Sequence, residues 1–173
     1  YRQAKDIASL KEGNTISRVE YDHYTGTFTA ERQIKPKQYI LLSGLHAFYL
    51  PQMRQVLDLK IFMEPDENLR RYWKIQRDIE SRGYSQEKIL TQLEQRIPDA
   101  EKYITPQKAY ADLVIRYFDE NLTDGLAVLP QIALGIQFTL SSSINMEPML
   151  TAMNEYGLQP EHEFSSNLNR QVV

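Results

Sequence analysis

The sequence contains no cysteine, so it can form neither a disulfide nor a thiolate metal site, which fits a reducing compartment such as the cytoplasm. No apolar run approaches the ~20 residues of a membrane-spanning helix, so we expect no membrane association. The three histidines, His23, His46 and His162, are too far apart for a metal-ligand motif, and we expect no metal site in this chain. A net charge of −3 without a basic stripe among aromatics argues against nucleic-acid binding.

What is present is an ordinary globular composition. The 173 residues are 42% hydrophobic and 25% charged, which is enough to form a sizeable core. A change of character near residue 121 divides the chain into two predicted regions, 1–121 and 122–173. Because the sequence begins with Tyr1 rather than Met, we expect it to be part of a longer protein.

Three compact apolar runs, at residues 38–44, 59–63 and 112–118, are typical of buried strands. Helical periodicity separates them, and this alternation predicts an α/β fold with a mostly parallel sheet. Ligands of such sheets bind at the carboxyl ends of the strands. Those ends are predicted at Ser43 and at Glu64.

The region 122–173 is predicted to be small and β-rich. Residues 126–140 are β-prone but are interrupted by Pro130, which is tolerated only at an edge or a bulge. They predict two antiparallel strands. A short helix with a methionine stripe, at residues 145–156, is typical of a core or an interface, and residues 163–173 either add a strand or stay loose.

One helix is predicted between two clear end signals. The carboxylate of Asp66 is placed to accept hydrogen bonds from the first-turn N–H groups. Gly83 suits the left-handed residue that ends a helix. Ser85 then has the character of an N-cap for the next helix, which is predicted to run to about Arg96.

The helix that begins after Asp66 carries Lys74, Arg77, Asp78 and Arg82 along one face, because a 3.6-residue period brings positions three and four apart together. Arginine donates in a planar fork to phosphate oxygens, and lysine supplies a point charge. One interpretation is a phosphate-handling lid near the carboxyl end of a strand. The other is a solvated face with i,i+4 ion pairs, Lys74–Asp78 and Asp78–Arg82.

Residues 20–28 alternate aromatic and polar side chains and turn at Thr25-Gly26, which predicts a hairpin or a structured loop. His23 lies in this segment, close to Tyr21. It has three interpretations: a surface loop residue, a structural histidine with its hydrogen bonds satisfied, or a ligand of a substrate.

Several short motifs, in this order, resemble the phosphoribulokinase and uridine kinase family, and most closely its phosphoribulokinase branch. They cover residues 1–118. The motifs are Tyr21-Asp22-His23-Tyr24-Thr25-Gly26, Leu42-Ser43-Gly44-Leu45-His46, Trp73-Lys74-Ile75-Gln76-Arg77-Asp78, Arg82-Gly83 and Pro106-Gln107-Lys108 with Tyr110-Ala111-Asp112.

The resemblance implies a P-loop kinase fold with a helical lid, and transfer of the γ-phosphoryl group of ATP to a sugar hydroxyl with Mg²⁺. By motif, Lys74, Arg77 and Arg82 would contact phosphates of ATP or of a sugar phosphate. Asp78 would orient those cations or act near the transferred group, and Tyr21 and His23 would contact the acceptor. We assign catalytic roles to Arg77 and Asp78, substrate binding to Tyr21, His23, Lys74 and Arg82, and nucleotide binding to Arg77 and Arg82.

Two features depart from the family pattern. The sequence contains no GxxxxGK[ST] phosphate loop, and the family's catalytic Asp would precede Tyr1. Ser43 stands where the family usually has a Glu that works with Mg²⁺. We therefore expect the acceptor-binding and lid portion of a kinase that is inactive by itself. The alternative is a non-catalytic phosphate-sensing or interaction module. In the family the C-terminal region contributes to dimers, so a homodimer is also expected.

Overall fold

The computed structural model describes residues 2–22, 24–119, 121–122 and 133–173. It divides into two compact units, Tyr1–Asp58 and Leu59–Val173, which are described separately. Within these described ranges, no helix combines the length and the apolar character that crossing a membrane requires. The division of this chain predicted between residues 121 and 122 stays a prediction.

The first unit begins with helix α1 (Arg2–Lys11), whose buried residues are Ala4, Ile7 and Leu10. The strands that follow in the described residues are short: β1 (Ile16–Arg18), β2 (Tyr21–Asp22), β3 (Thr27–Phe28) and β4 (Arg32–Ile34). β1 pairs with β4 and β2 pairs with β3, both antiparallel, so the hairpin predicted for residues 20–28 is confirmed. Helix α2 (Pro51–Val56) closes the unit, with Met53 packed against Ala4 and Ile7 of α1.

The strand predicted at residues 38–44 does not form. This segment is irregular, and Tyr39 and Leu41 are 85% and 95% exposed, whereas Leu42 packs against the α1–α2 core. A strand needs a neighbour for its backbone hydrogen bonds, and no strand of the described chain pairs with this run. Ser43 is therefore an exposed residue of an irregular segment and does not end a strand.

The described residues of the second unit contain a five-stranded mixed sheet. Its strands are β5 (Ile61–Pro65), β6 (Leu113–Phe118), β7 (Gly135–Ser141), β8 (Glu163–Phe164) and β9 (Arg170–Val172), in the order β5-β6-β7-β9-β8. β5 and β6 are parallel, and the other pairs are antiparallel. The α/β class and the β-rich C-terminal region are confirmed. Of the two strands predicted within 126–140, the described residues contain the second; the first lies outside them.

A series of helical segments connects β5 to β6. It comprises α3 (Glu67–Arg82), α4 (Gln86–Gln95), the short α5 (Ile97–Asp99), a π-helical segment (Ala100–Ile104) and a 3₁₀ helix (Thr105–Tyr110). Gly83, with φ of 63°, ends α3 as predicted, and the Ser85 hydroxyl accepts from Lys88 N at the start of α4. Helix α6 (Glu147–Glu155) follows β7.

The two faces of the sheet differ in character. Residues directly opposite each other share a face, so the register places Glu64, Arg116 and Gln137 in one row of a polar face. The opposite face is apolar and includes Met63 and Ile136, both of which are exposed. This contrast places ionic side chains from several strands on a common surface.

Candidate functional site

The charged stripe predicted on α3 forms a compact cluster, which we call the α3 cluster: Lys74, Arg77, Asp78 and Arg82. Lys74 Nζ donates to Oδ2 of Asp78 over 2.6 Å. On the other oxygen, Arg77 Nε donates over 2.8 Å and Arg82 Nη1 lies 3.2 Å away. Both predicted i,i+4 pairs are confirmed. One carboxylate therefore holds three cations at the C-terminal end of the helix.

Asp78 is shielded from water mainly by its own partners. Its side chain is 0% exposed, whereas those of Arg77 and Arg82 are 56% and 51% exposed. The hydrogen bond from Arg77, aided by Lys74 and opposed by desolvation, lowers the pKa of Asp78 to about 2. The carboxylate is thus ionised at neutral pH, and the two guanidinium groups keep surface open to a ligand.

Packing between α3 and α4 fixes the direction of the α3 cluster. Ile75 of α3 lies against Ile89 and Leu93 of α4, and all three side chains are buried. Removing an aliphatic side chain of this size from water contributes about 1.5–3 kcal/mol. Beside Ile75, the side chain of Arg77 is 56% exposed, whereas that of Lys74 is only 16% exposed.

The start of α3 differs from its prediction. Asp66 makes no capping hydrogen bond with the first turn. Instead its two oxygens accept from Arg116, with Nε–Oδ1 at 2.7 Å and Nη2–Oδ2 at 2.8 Å, and this pair raises the pKa of Arg116. A bidentate partner on the parallel neighbour strand outcompetes the weaker local cap. It fastens the beginning of α3 to the sheet.

A second ion pair at this edge was not predicted from the sequence. Lys108 Nζ, from the 3₁₀ helix, lies 2.6 and 2.7 Å from the two oxygens of Glu64 at the end of β5. Lys108 was noted only as part of a motif. The one available signal was Arg116, a charged residue inside the otherwise apolar run 112–118, which indicates an ionic partner across the sheet.

The polar face of the sheet forms a cleft of about 590 Å³. We call it the sheet cleft; its lining is Glu64, Lys108, Ala109, Val114, Arg116, Gln137, Thr139 and Arg170. A smaller cavity of about 170 Å³ adjoins the start of α3 and is lined by Asp66, Glu67, Asn68, Leu69, Asp119 and Leu122. Neither lining includes a residue of the α3 cluster.

The predicted acceptor residues belong to the other unit. Tyr21 lies on β2, half-exposed, with its ring edge-to-face against Phe28 at 5.4 Å between centroids. The turn of the hairpin is fixed by Asp22, whose Oδ1 accepts from Tyr24 N over 2.8 Å. His23 lies outside the described residues. The structure therefore brings Lys74, Arg77, Asp78 and Arg82 together, and it places Tyr21 on an ordered hairpin.

Mg²⁺ finds no suitable donor set in the part of the chain that the structure describes. No group of three or more His, Asp or Glu side chains is arranged there to hold a metal ion. Asp78 already serves three cations, and a carboxylate so occupied is a poor ligand for a further cation. We derive no step through Mg²⁺ from these residues.

Comparison with known proteins assigns this arrangement to a family. The sequence profile of the Phosphoribulokinase / Uridine kinase family matches residues 3–124, which include the hairpin, the α3 cluster and β6. The chain belongs to this family. The resemblance stated from the motifs is thereby confirmed.

Named relatives lie on both branches of the phosphoribulokinase / uridine kinase family. The chloroplastic phosphoribulokinase of Mesembryanthemum crystallinum is 39% identical over 121 residues, covering 70% of this chain and 30% of that protein. The phosphoribulokinase of Synechocystis sp. is 35% identical over 120 residues, covering 69% and 36%. The uridine kinase of Ligilactobacillus salivarius is 34% identical over 119 residues, covering 68% of this chain and 56% of that protein.

The fold is shared with a solved structure, phosphoribulokinase from Rhodobacter spheroides. The TM-score is 0.71 at 21% identity, over 99% of this chain and 64% of that one. The matched part of this chain spans about a third of the length of the phosphoribulokinases to which it is similar. These comparisons show the family and the fold of this chain.

Proposed function

We propose that this chain is the acceptor-binding and lid portion of an ATP-dependent kinase that phosphorylates a hydroxyl group of a sugar or a sugar phosphate. The observation that carries the proposal is the convergence of Lys74, Arg77 and Arg82 on the shielded carboxylate of Asp78. The chain by itself is expected to be inactive, since its sequence contains no GxxxxGK[ST] loop to cradle the nucleotide phosphates.

The chemistry explains why such a cluster suits this role. Phosphoryl transfer requires positioned reactants and cations that stabilise negative charge spread over the transferred group. Arg77 and Arg82 each offer an exposed planar fork, and Asp78 limits their rotation. A preorganised pair loses less conformational entropy on binding phosphate than two free arginines would.

Within this proposal the residues have separate roles. Arg77 stabilises the transferred phosphoryl group, and Asp78 orients the three cations around it. Lys74 and Arg82 bind the phosphate of the acceptor, with Arg82 and Arg77 also reaching the nucleotide. Tyr21 and His23 contact the acceptor sugar.

ATP and Mg²⁺ belong to the proposal for the whole protein. Mg²⁺ would neutralise charge on the β- and γ-phosphates. The described residues of this chain contribute no metal ligand to that step, and their part is to bind and orient phosphate groups. A homodimer formed through residues 122–173 is likewise proposed, and light scattering of the full-length protein tests it.

The test is a kinase assay of the full-length protein with ATP, using ribulose 5-phosphate and uridine as alternative acceptors. Transfer to either acceptor supports the proposal, and the preferred one identifies the branch. If neither acceptor is phosphorylated while calorimetry shows that phosphorylated sugars bind, the kinase proposal is wrong. The chain then acts as a phosphate-sensing module, in which the α3 cluster binds an anion without transferring it.

A further inference from the structure

The sheet cleft is built from elements that are distant in sequence. β5, β6 and β7 contribute the row Glu64–Arg116–Gln137, and the next row contributes Val114 and Thr139. Arg170, opposite Ser141 on β7, joins the same face from β9. The cleft thus has a buried apolar floor at Val114 and a polar wall on each side.

Among the described residues, the lining of the sheet cleft contains three cations and one carboxylate. The carboxylate, Glu64, is bound to Lys108, and Arg116 is held from outside the lining by Asp66. These pairs hold Lys108 and Arg116 in position before a ligand binds. At the same time 45% of the Lys108 side chain and 42% of the Arg116 side chain remain exposed.

Arg170 is the cation of the sheet cleft for which the described residues provide no counter-ion. Among the residues that the structure describes, no carboxylate and no hydrogen-bond acceptor pairs with its guanidinium group, although the residue is partly buried. Withdrawing a cation partly from water has a cost that an anionic partner offsets. The lining therefore favours a negatively charged ligand beside Arg170.

We propose that the sheet cleft binds a small molecule that carries a phosphate monoester, at a site separate from the α3 cluster. The phosphate lies between Arg170 and Arg116, where forked donors match its oxygens. The organic part lies over Val114, with its hydroxyl groups on Gln137 and Thr139. A volume of about 590 Å³ is in the range of small-molecule sites and exceeds what inorganic phosphate needs.

The proposal does not depend on kinase activity, so it is tested on the 173-residue chain by binding alone. Ribose 5-phosphate is titrated by calorimetry and by amide NMR, with ribose as the uncharged probe. We expect shifts on β6, β7 and β9, no binding of ribose, and weaker binding of inorganic phosphate. Equal affinity for inorganic phosphate would overturn the assignment of an ester, and shifts confined to α3 would overturn the site.

Substitution of Arg170 is the second test of the proposed site. Arg170→Gln is expected to weaken ribose 5-phosphate binding about tenfold or more, and Arg170→Lys to weaken it less, because lysine keeps the charge but loses the fork. Arg32→Gln, at an exposed arginine of the first unit, is the matched control and should bind as the wild type. Thermal melting confirms folding of each variant. If both Arg170 variants fold and keep full affinity, the proposal is wrong.

Discussion

The α3 cluster and the sheet cleft both concentrate positive charge, but they are assembled in opposite ways. In the α3 cluster all charged groups lie within residues 74–82 of one helix, and one carboxylate serves three cations. In the sheet cleft the cations come from the 3₁₀ helix, β6 and β9, and two of them have separate carboxylates. A cluster within one helix forms with that helix, whereas the cleft requires correctly paired strands.

This difference indicates two degrees of dependence on tertiary structure. The α3 cluster needs only the α3–α4 packing to direct it, and its shared carboxylate keeps the cations close. The sheet cleft loses its geometry if any of the four strands that line it shifts register, since a one-residue slip turns every side chain to the other face. Substitutions and pH changes should therefore affect the two regions separately.

The largest expected effect is on catalysis and concerns Arg77. We expect Arg77→Ala to lower the kcat of the full-length kinase about 10²–10³-fold, because a cation aimed at the transferred phosphoryl group stabilises the transition state. The melting temperature should change by no more than about 2 °C, since the side chain is half-exposed. Steady-state kinetics and thermal melting measure the two quantities.

Arg70→Ala is the matched control for this prediction. Arg70 lies on the same helix and pairs with the exposed carboxylate of Glu67 over 2.7 Å, outside the α3 cluster. Its removal should leave kcat within about twofold of the wild type. An equal loss of activity in both variants would show that general positive charge on α3 matters rather than the geometry around Asp78.

The next largest effect is on the free energy of unfolding, and it tests whether the α3–α4 packing and the sheet unfold independently. Ile89→Ala, at a fully buried position of α4, should lower the free energy of unfolding by about 2–4 kcal/mol. Hydrogen exchange should then quicken in α3 and α4 more than in β6 and β7. Ile79→Ala, at an exposed position of α3, is the control and should have little effect. Uniform loss of protection would mean that both regions unfold as one.

The smallest expected effect is on the pH dependence of stability, and it tests the contribution of Asp78, the shared carboxylate of the α3 cluster. The pKa of Asp78 falls from 3.8 to about 2 on folding, so its contribution is fully present above pH 4 and is lost as the pH falls towards 2. We expect Asp78 to contribute about 1–2 kcal/mol to the free energy of unfolding, after allowing for screening around the half-exposed arginines. Urea unfolding between pH 2 and 6 should show this loss in the wild type.

Asp78→Asn is the comparison for the pH series. This variant should lack that part of the pH dependence, while its remaining carboxylates still titrate. If the wild type and Asp78→Asn lose the same free energy between pH 4 and pH 2, Asp78 does not carry the stabilisation that its hydrogen bonds indicate.

Local signals in the sequence predicted the elements that depend on neighbouring residues. Gly83 and Ser85 ended α3 and began α4 as expected, and the 3.6-residue period correctly gathered Lys74, Arg77 and Arg82 around Asp78. Helix α2, in contrast, begins only at Pro51, because the residue before a proline avoids the helical region; Leu50 is extended with ψ of 140°.

Predictions that needed a distant partner were less successful. The apolar run 38–44 has the composition of a strand, yet composition does not supply the neighbour that a strand pairs with. Asp66 was correctly placed at the start of a helix, but its partner is Arg116, and nothing near Asp66 in the sequence indicates it.

The sequence by itself determined helices α3 and α4, the boundary between them at Gly83 and Ser85, and the α3 cluster, because hydrogen bonds and side-chain contacts within an α-helix join residues at most four positions apart. Only the tertiary structure decided the polar face of the sheet, the partners of Asp66 and Glu64, and the meeting of Lys108, Arg116 and Arg170. Those groups come together through strand pairing and a helical crossover, and the free energy of such contacts depends on the whole folded unit.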